Sequence, residues 1–348
     1  MTNPFVNCRV VLIADRVDTH ETISLDSTDL EFTELEYFDE FMASLRRLCR
    51  DVVHYEDVEQ FVNRVSEHRD DLVVSLWSGV LSRNRKSLIP AICESAGIRY
   101  LGADAYTNIV CQDKSLAKLF CREVEIDVPS GCLVTADSDM RLVELLRPPL
   151  VVKPNFEGGS IGISAGNLVQ SRNAAAAMCE RLLRTFTDGV LVEEFIPGRE
   201  ICLILSGRGD HVEFARGVEV VLKGGATFDD RLWSFELKKE GQIESDYHDV
   251  TAELPVGLLD RARRLFRRLN KVDILRVDGK LRDGKFCMIE LSPDVYLGSH
   301  GAFAQAFTLN GYSYDEMIAH ILVNALASGV SGSANMREMR DRKGSMLS

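Results

Sequence analysis

Near-continuous apolar runs alternate with amphipathic stretches through the first hundred residues. Arg9–Ala14 (RVVLIA) and Asp71–Trp77 (DLVVSLW) read as strands covered on both faces, as the strands of a parallel sheet are. Asp51–Tyr55 and Ile98–Gly102 are shorter strand candidates. Glu36–Cys49, Val58–His68 and Leu88–Ala96 read as helices, and Gly97 supplies a stop signal after the last. Polar residues from Asp15 to Asp29 separate the first strand from the first helix. This alternation of strand and helix predicts an α/β layer with a parallel sheet.

After Ala103 the rhythm changes. Lys114–Val124 predicts a helix, Leu150–Lys153 a strand, Glu157–Gly162 a glycine-rich turn and Asn173–Arg184 a helix favoured by its alanines. Val190–Phe195 and Glu200–Ser206 predict strands around the Pro197-Gly198 turn pair. Leu258–Leu269 is an amphipathic helix with a basic face. Ile274–Leu281 and Lys285–Leu291 predict a hairpin about Asp283-Gly284. Tyr314–Ala327 reads as a closing helix, and the small, charged tail from Ser328 is expected to fray. No internal repeat is visible.

A length of 348 residues exceeds one ordinary core and predicts two or three packed subdomains. With 45% apolar and 27% charged residues, the composition is that of a folded soluble protein. The formal charge of -12 argues against broad nucleic-acid binding, which needs a basic surface, yet permits a local basic pocket. The nine cysteines form no CxxC pair and are odd in number, so reduced thiols in a cytoplasmic protein are expected. No run approaches the roughly 18 apolar residues of a membrane span, and no basic stretch leads into an apolar one at the start. Neither a membrane partner nor secretion is expected.

Three segments carry candidate chemistry. In the first, Val151-Val152-Lys153-Pro154 runs towards Glu157-Gly158-Gly159-Ser160-Ile161-Gly162. A lysine at the end of a buried strand can hold a phosphate as a compact cation, and glycines let backbone N–H groups approach phosphate oxygens. No Gly-Lys-Ser/Thr follows, so this is no Walker A loop, nor does it open a helix as a Rossmann turn does. Taken alone, such a stretch is more often an ordinary turn. The second segment is Glu193-Glu194-Phe195-Ile196-Pro197-Gly198-Arg199-Glu200. A strand edge can hydrogen-bond an adenine, one carboxylate can receive its amino group, and another can take ribose hydroxyls. A solvated charged hairpin is the competing reading.

The third segment is the hairpin with Arg276, Asp278, Glu290 and Ser292. Residues of equal parity on one strand share a face, so each strand presents its pair together. A two-residue turn would put the two pairs on opposite faces, whereas a three-residue loop with a glycine bulge puts them on one. The latter is expected, and Asp278 and Glu290 would then offer the hard oxygens that magnesium prefers. Cross-strand pairing of Arg276 with Glu290 is the plain alternative.

Taken in order, Gly102-Ala103-Asp104 with Asp113-Lys114, Val152-Lys153-Pro154 with the glycine loop, Gly198-Arg199-Glu200, and Arg276-Val277-Asp278 with Glu290 resemble the ATP-grasp fold, and within it the D-alanine–D-alanine ligase branch. The similarity runs from roughly Asp71 to Leu322. It implies an α/β protein, α+β in the grasp lobes, with an N-terminal parallel pre-grasp domain at 1–104. A central lid would span 105–195, a C-terminal subdomain with metal and acceptor site 196–327, and a flexible tail 328–348. It implies ATP phosphates on Lys114 and Lys153, with Glu157, Gly158, Gly159, Ser160 and Gly162 in a loop closing over them. Adenine would meet Glu193, Glu194 and Ile196, and ribose Glu200. Lys238 or Lys239 would be a further phosphate contact. Asp278, Glu290 and Ser292 would hold magnesium, or manganese in its place. Arg276, Lys153 and Ser160 would form the catalytic set, with Arg276 steadying an acyl phosphate. The implied reaction joins a small-molecule carboxylate to an amine through that acyl phosphate, by positioning and charge neutralisation in a closed site. A homodimer is the implied assembly.

Four departures fall where substrates bind. Ser292 stands where the family has asparagine, and Gly158-Gly159-Ser160 where it reads Gly-Ser-Ser. Ala14-Asp15-Arg16 replaces a glycine-rich opening, and SPDVYLGSHGAF (292–303) lacks the usual Pro-Gly turn. They point to an amino acid or specialised metabolite other than D-alanine. Arg83, Asn84 and Arg85 are candidates for a substrate carboxylate or a basic surface loop, and Ser299 and His300 for the acceptor pocket. Ser292, as a poorer metal ligand, keeps open a weakly active or inactive ATP-binding homologue with a regulatory or scaffold role.

Overall fold

The computed structural model describes residues 9–17, 33–79, 82–136, 139–223, 232 and 245–328. Lys238, Lys239 and the tail beyond Ser328 lie outside them. β1 (Arg9–Ile13) leads through the short β2 (Arg16–Val17) and β3 (Thr33–Glu34) into α1 (Leu35–Leu48). β4 (Asp51–Tyr55), α2 (Val58–Val62), β5 (Leu72–Ser75), α3 (Leu88–Ala96) and β6 (Arg99–Tyr100) complete the first layer. Its sheet has the order β4-β1-β5-β6 with parallel pairing throughout. The apolar runs are explained by cover on both faces. Val10 and Leu12 point towards α1, while Val11 and Ile13 point towards Phe61, Ile89 and Cys93.

The helix expected over Val58–His68 breaks after Val62, and a 3-10 turn follows at Val65–His68. There His68 turns inward: its Nδ1 lies 2.8 Å from Asp71 Oδ2 and its Nε2 2.8 Å from the Tyr55 hydroxyl. α3 does stop at Gly97, whose φ of 70° suits glycine.

α4 (Ala105–Gln112) and α5 (Lys114–Glu123) follow, each capped by an aspartate side chain, Asp104 and Asp113. β7 (Gly131–Val134), α6 (Met140–Val143), β8 (Leu150–Pro154), β9 (Leu168–Val169), α7 (Arg172–Leu183) and β10 (Val190–Glu194) come next. They build an antiparallel sheet in the order β7-β10-β8-β9. β11 (Arg199–Arg208), β12 (His211–Leu222), β13 (Ser245–Asp249), α8 (Leu258–Leu269), β14 (Ile274–Arg282) and β15 (Lys285–Ser292) form the next unit. Its antiparallel sheet has the order β13-β12-β11-β14-β15. α9 (Ala302–Leu309) and α10 (Tyr314–Ala327) end the described chain.

β11 is buried on both sides, and its alternation decides which core each residue joins. Ile201, Leu203 and Leu205 share a core with Val110, Phe120, Leu265 and Phe266, from α4, α5 and α8. Cys202 and Ile204 share one with Phe303, Phe307 and Ile318, and with Phe38 and Phe41 of α1. The last helices thus fold back on the first layer, and Arg47 of α1 pairs with Asp315 at 2.7 Å. The described cysteines are all free. Among the described residues no helix is long and apolar enough to cross a membrane.

The β14–β15 hairpin places the two pairs on one face, but by another route than the expected one. Arg282 pairs with Lys285, so the turn is the two residues Asp283 and Gly284, at φ 49° and 71°. An irregularity after Asp278 leaves Ile289 as the extra residue, and Asp278 then faces Glu290 while Arg276 faces Ser292. The bulge lies in the strand rather than in the loop.

Candidate functional site

A cavity of ≈ 660 Å³ lies where the three sheets meet. Trp77 comes from the first layer, Lys153 and Glu193 from the β7–β10 sheet, and Arg276, Asp278, Glu290 and Ser292 from the hairpin. Lys114 of α5 lines it too. Four groups far apart in sequence, Lys114, Lys153, Asp278 and Glu290, therefore line one cavity.

Local hydrogen bonds explain how α5 delivers its lysine. Asp113 Oδ1 accepts from the Leu116 N–H at 3.0 Å and from Asn155 Nδ2 at 2.8 Å. Asn155 Oδ1 in turn accepts from the Ser115 N–H at 3.0 Å. Asn155, fully buried just beyond β8, so ties the α5 N-terminus to the strand bearing Lys153. Lys114 Nζ lies 2.9 Å from Glu290 Oε1 and also donates to the Glu157 carbonyl.

The other charges are paired as well. Lys153 Nζ is 2.7 Å from Glu193 Oε2, and Lys118 Nζ is 2.8 Å from Glu193 Oε1. The second contact is one of charge, since that oxygen accepts no well-formed hydrogen bond. Arg276 grips Asp278 in a fork, Nε to Oδ1 at 2.7 Å and Nη2 to Oδ2 at 2.8 Å. Neither arginine nor glutamate thus takes the plain cross-strand pairing of Arg276 with Glu290. Lys280 Nζ lies 2.8 Å from Glu200 Oε2.

These pairings fix protonation. Burial alone would raise the Glu290 carboxyl, but Lys114, Lys153 and Arg276 overcome it and hold it at about 2. Glu193 is likewise held below the usual carboxylate range, because Lys153 and Lys118 outweigh its burial. Glu200 goes the other way: burial raises it more than Lys280 lowers it. Burial also pushes the Lys118 ammonium below the usual lysine range, against the pull of Glu193. Since Glu290 falls from 4.5 in the unfolded chain to about 2 in the fold, its stabilisation is complete above pH 4.5 and is lost as pH falls through about 2. The metal-free Glu290→Gln variant is expected to lose that share of the acid destabilisation. Urea midpoints measured across this window check it.

Asp278 and Glu290 fit a hard divalent cation. They are cross-strand partners facing one cavity, and both are oxygen donors. Among the described residues no third His, Cys, Asp or Glu completes a protein-only metal site. Two carboxylates that leave the remaining positions to phosphate oxygens and water is the pattern magnesium favours.

The structure redistributes several of the residues named from sequence. Gly158, Gly159 and Ser160 line the cavity, but Gly162 does not. Gly162 sits at φ 70°, where a Cβ would lie 2.7 Å from Pro154 and 2.8 Å from Phe186, so it serves packing. Glu194 and Ile196 line the cavity, with the Glu194 carboxylate accepting from the Arg147 N–H at 2.9 Å. Glu193 faces the cavity too, already claimed by two lysines. Arg85 is buried and pairs with Glu157 at 2.9 Å, bracing the glycine loop against the first layer rather than forming a surface loop. His300 lines the cavity, and the Ser299 N–H donates to Glu40 Oε2 at 2.9 Å.

Sequence reasoning missed Lys118, Asn155, Lys280 and the aromatic wall. Lys118 had one readable signal, its place four residues after Lys114 on the same helix face. Tyr37 and Tyr296 touch at 4.4 Å between ring centroids, and the Tyr37 hydroxyl accepts from the Leu297 N–H at 3.2 Å. Nothing local in the sequence joins α1 to that loop.

Comparisons with known proteins bear on the family and the fold. The family profile described as D-ala D-ala ligase C-terminus matches residues 133–323, more than half of the chain. D-alanine–D-alanine ligase A of Bacillus cereus is 27% identical over 240 residues, 67% of this chain and 74% of the relative. The D-alanine–D-alanine ligase of Corynebacterium aurimucosum is 25% identical over 307 residues, 87% of this chain and 83% of the relative. Among solved structures, a D-alanine–D-alanine ligase from Bacillus anthracis superimposes with a TM-score of 0.71 at 18% identity, covering 92% of this chain and 98% of that one. The VanG D-Ala:D-Ser ligase from Enterococcus faecalis gives 0.69 at 19% identity, covering 92% and 99%. At such identities the structural likeness shows the fold, a parallel α/β layer followed by the ATP-grasp lobes.

Proposed function

Because the chain belongs to the D-alanine–D-alanine ligase-like family of ATP-grasp carboxylate–amine ligases, we propose that it uses ATP to activate a small-molecule carboxylate as an acyl phosphate and joins it to an amine. The observation that supports this most is the convergence of Lys114, Lys153, Asp278 and Glu290 on one cavity. In this reading Lys114 and Lys153 bind the ATP phosphates, beneath the loop of Gly158, Gly159 and Ser160. The β10 end, with Glu194 and Ile196, carries the adenine, and Glu200 the ribose. Glu193 serves the lysines before the base. Asp278 and Glu290, with Ser292, would hold magnesium or manganese, which when bound screens the phosphate charge. Arg276, held in line by Asp278, faces the developing charge on the transferred phosphoryl group and on the tetrahedral intermediate. Water exclusion falls to the glycine loop, which Arg85 and Lys114 brace through Glu157.

The carboxylate and amine are proposed to be other than D-alanine. The cavity end near the first layer carries Tyr37, Trp77, Tyr247 and Tyr296, a wall suited to a substrate larger than alanine. Phosphate release is expected to require ATP, a carboxylate and an amine together, and to be stronger with large or aromatic amino acids than with D-alanine. Turnover fastest with D-alanine alone would refute the substrate reading. Tight ATP binding with no turnover across a broad panel would refute the ligase reading and favour a binding role.

A further inference from the structure

Lys118 stands outside the mechanism above, yet it is the most buried kind of group a protein keeps for a reason. It is 4% exposed, Glu193 2% and Lys153 4%. A charged group so far from water is retained only with a partner. Glu193 is that partner for both lysines, one on each oxygen. Lys153 and Glu193 face the cavity, whereas Lys118 lies behind the wall, its other contact being the Ile289 carbonyl at 3.2 Å. Lys118 therefore cannot be explained as a direct ligand contact.

The charge arithmetic gives it a role. Lys114 faces Glu290, Arg276 faces Asp278 and Lys280 faces Glu200. At Glu193 two ammonium groups share one carboxylate, leaving one positive charge in excess. Without Lys118, Glu193 would neutralise Lys153 outright and keep it turned away from a polyanion. Resting on the nucleotide reading, we propose that Lys118 is a positioning residue: by sharing Glu193 it keeps the positive charge of Lys153 available to the phosphates of the nucleotide. It touches no reacting atom and acts through Glu193, its other contact being the Ile289 carbonyl.

The test is calorimetric titration of the full chain with the β,γ-imido analogue of ATP and, separately, with adenosine, which has no phosphates. The readout is the ratio of the two affinities. Lys118→Met is expected to lower that ratio by about tenfold or more, because Glu193 then neutralises Lys153 alone and the excess positive charge is lost from a poorly screened interior. Lys118→Arg keeps the charge and is expected to keep the ratio. Lys118→Met combined with Glu193→Gln frees Lys153 from its competitor and is expected to restore most of it. Glu193→Gln alone is expected to raise the ratio, and it covers the case in which Lys118→Met does not fold. An unchanged ratio in Lys118→Met, equal loss for analogue and adenosine, a double variant no better than the single one, or a fall in Glu193→Gln would each overturn the proposal. If the wild-type chain does not bind the analogue at all, the nucleotide reading itself fails and the proposal falls with it.

Discussion

Glu290→Gln is expected to lower ATP-dependent phosphate release by roughly 10²–10³-fold, the scale on which a single preorganised electrostatic group acts in such sites. Two effects combine. The amide cannot hold a divalent cation as the carboxylate does, and that carboxylate is fully charged at neutral pH because Lys114 and its neighbours hold it at about 2. Lys114 also loses its anionic partner at 2.9 Å, which leaves its ammonium held by neutral acceptors such as the Glu157 carbonyl. Asp278→Asn is expected to fall on the same scale for a related reason. Arg276 makes its fork to Asp278 from the same strand, so the change disturbs metal and guanidinium together. The discriminating measurement is turnover over a magnesium titration: both variants should require more metal for half-maximal rate, while adenosine binding stays near wild type. Wild-type turnover in Glu290→Gln, or an unchanged metal requirement in both, would show that the hairpin carboxylates do not serve the nucleotide.

How far the sequence reveals this site depends on where each signal resides. β11 was readable because Ile201–Leu205 is apolar on both faces, and the structure buries both. β12 was not, since Glu213, Arg216, Gly217 and Glu219 interrupt its pattern. Those charges are tolerated because partners arrive from afar: Arg199 takes Glu219 at 2.6 Å, and Arg216 Nε donates to Asn310 Oδ1 at 2.7 Å. α9 was missed because its apolar residues blend with the acceptor loop before it. Strand parity made each pair legible, Arg276 with Asp278 and Glu290 with Ser292, but what brings the two pairs onto one face, the bulge at Ile289, was not, because no residue type marks it. Lys153 advertised itself at the end of an apolar strand. The orientation of Glu193 did not, for it depends on Lys118, delivered by a helix that only the tertiary fold brings alongside.

Asp273→Ala is expected to destabilise the fold by about 3–5 kcal/mol, the usual cost of stranding one member of a buried ion pair. Asp273 is fully buried and lies 2.5 Å from Lys271 Nζ, itself only 8% exposed. Its carboxylate also accepts from the Gly102 N–H at 2.9 Å and the Ser328 hydroxyl at 2.8 Å. One side chain thus joins the end of the parallel layer, the start of β14 and the end of α10. Lys271 keeps contacts to the Gly102 carbonyl at 2.9 Å and over the Tyr100 ring at 4.8 Å, but neither is an anion. A fall in the urea midpoint at unchanged slope is the expected signature. Asp273→Leu combined with Lys271→Met should recover much of the loss, since a matched apolar pair strands no charge. Gly102 and Ala103 line the cavity, so the single variant is also expected to weaken nucleotide binding while the hairpin carboxylates remain untouched. Full stability in Asp273→Ala would mean that Lys271 finds water or another acceptor on folding, and the tie between the first layer and the C-terminal part would then rest on their shared apolar core and on ties such as Arg47 to Asp315 and the Ser299 N–H to Glu40.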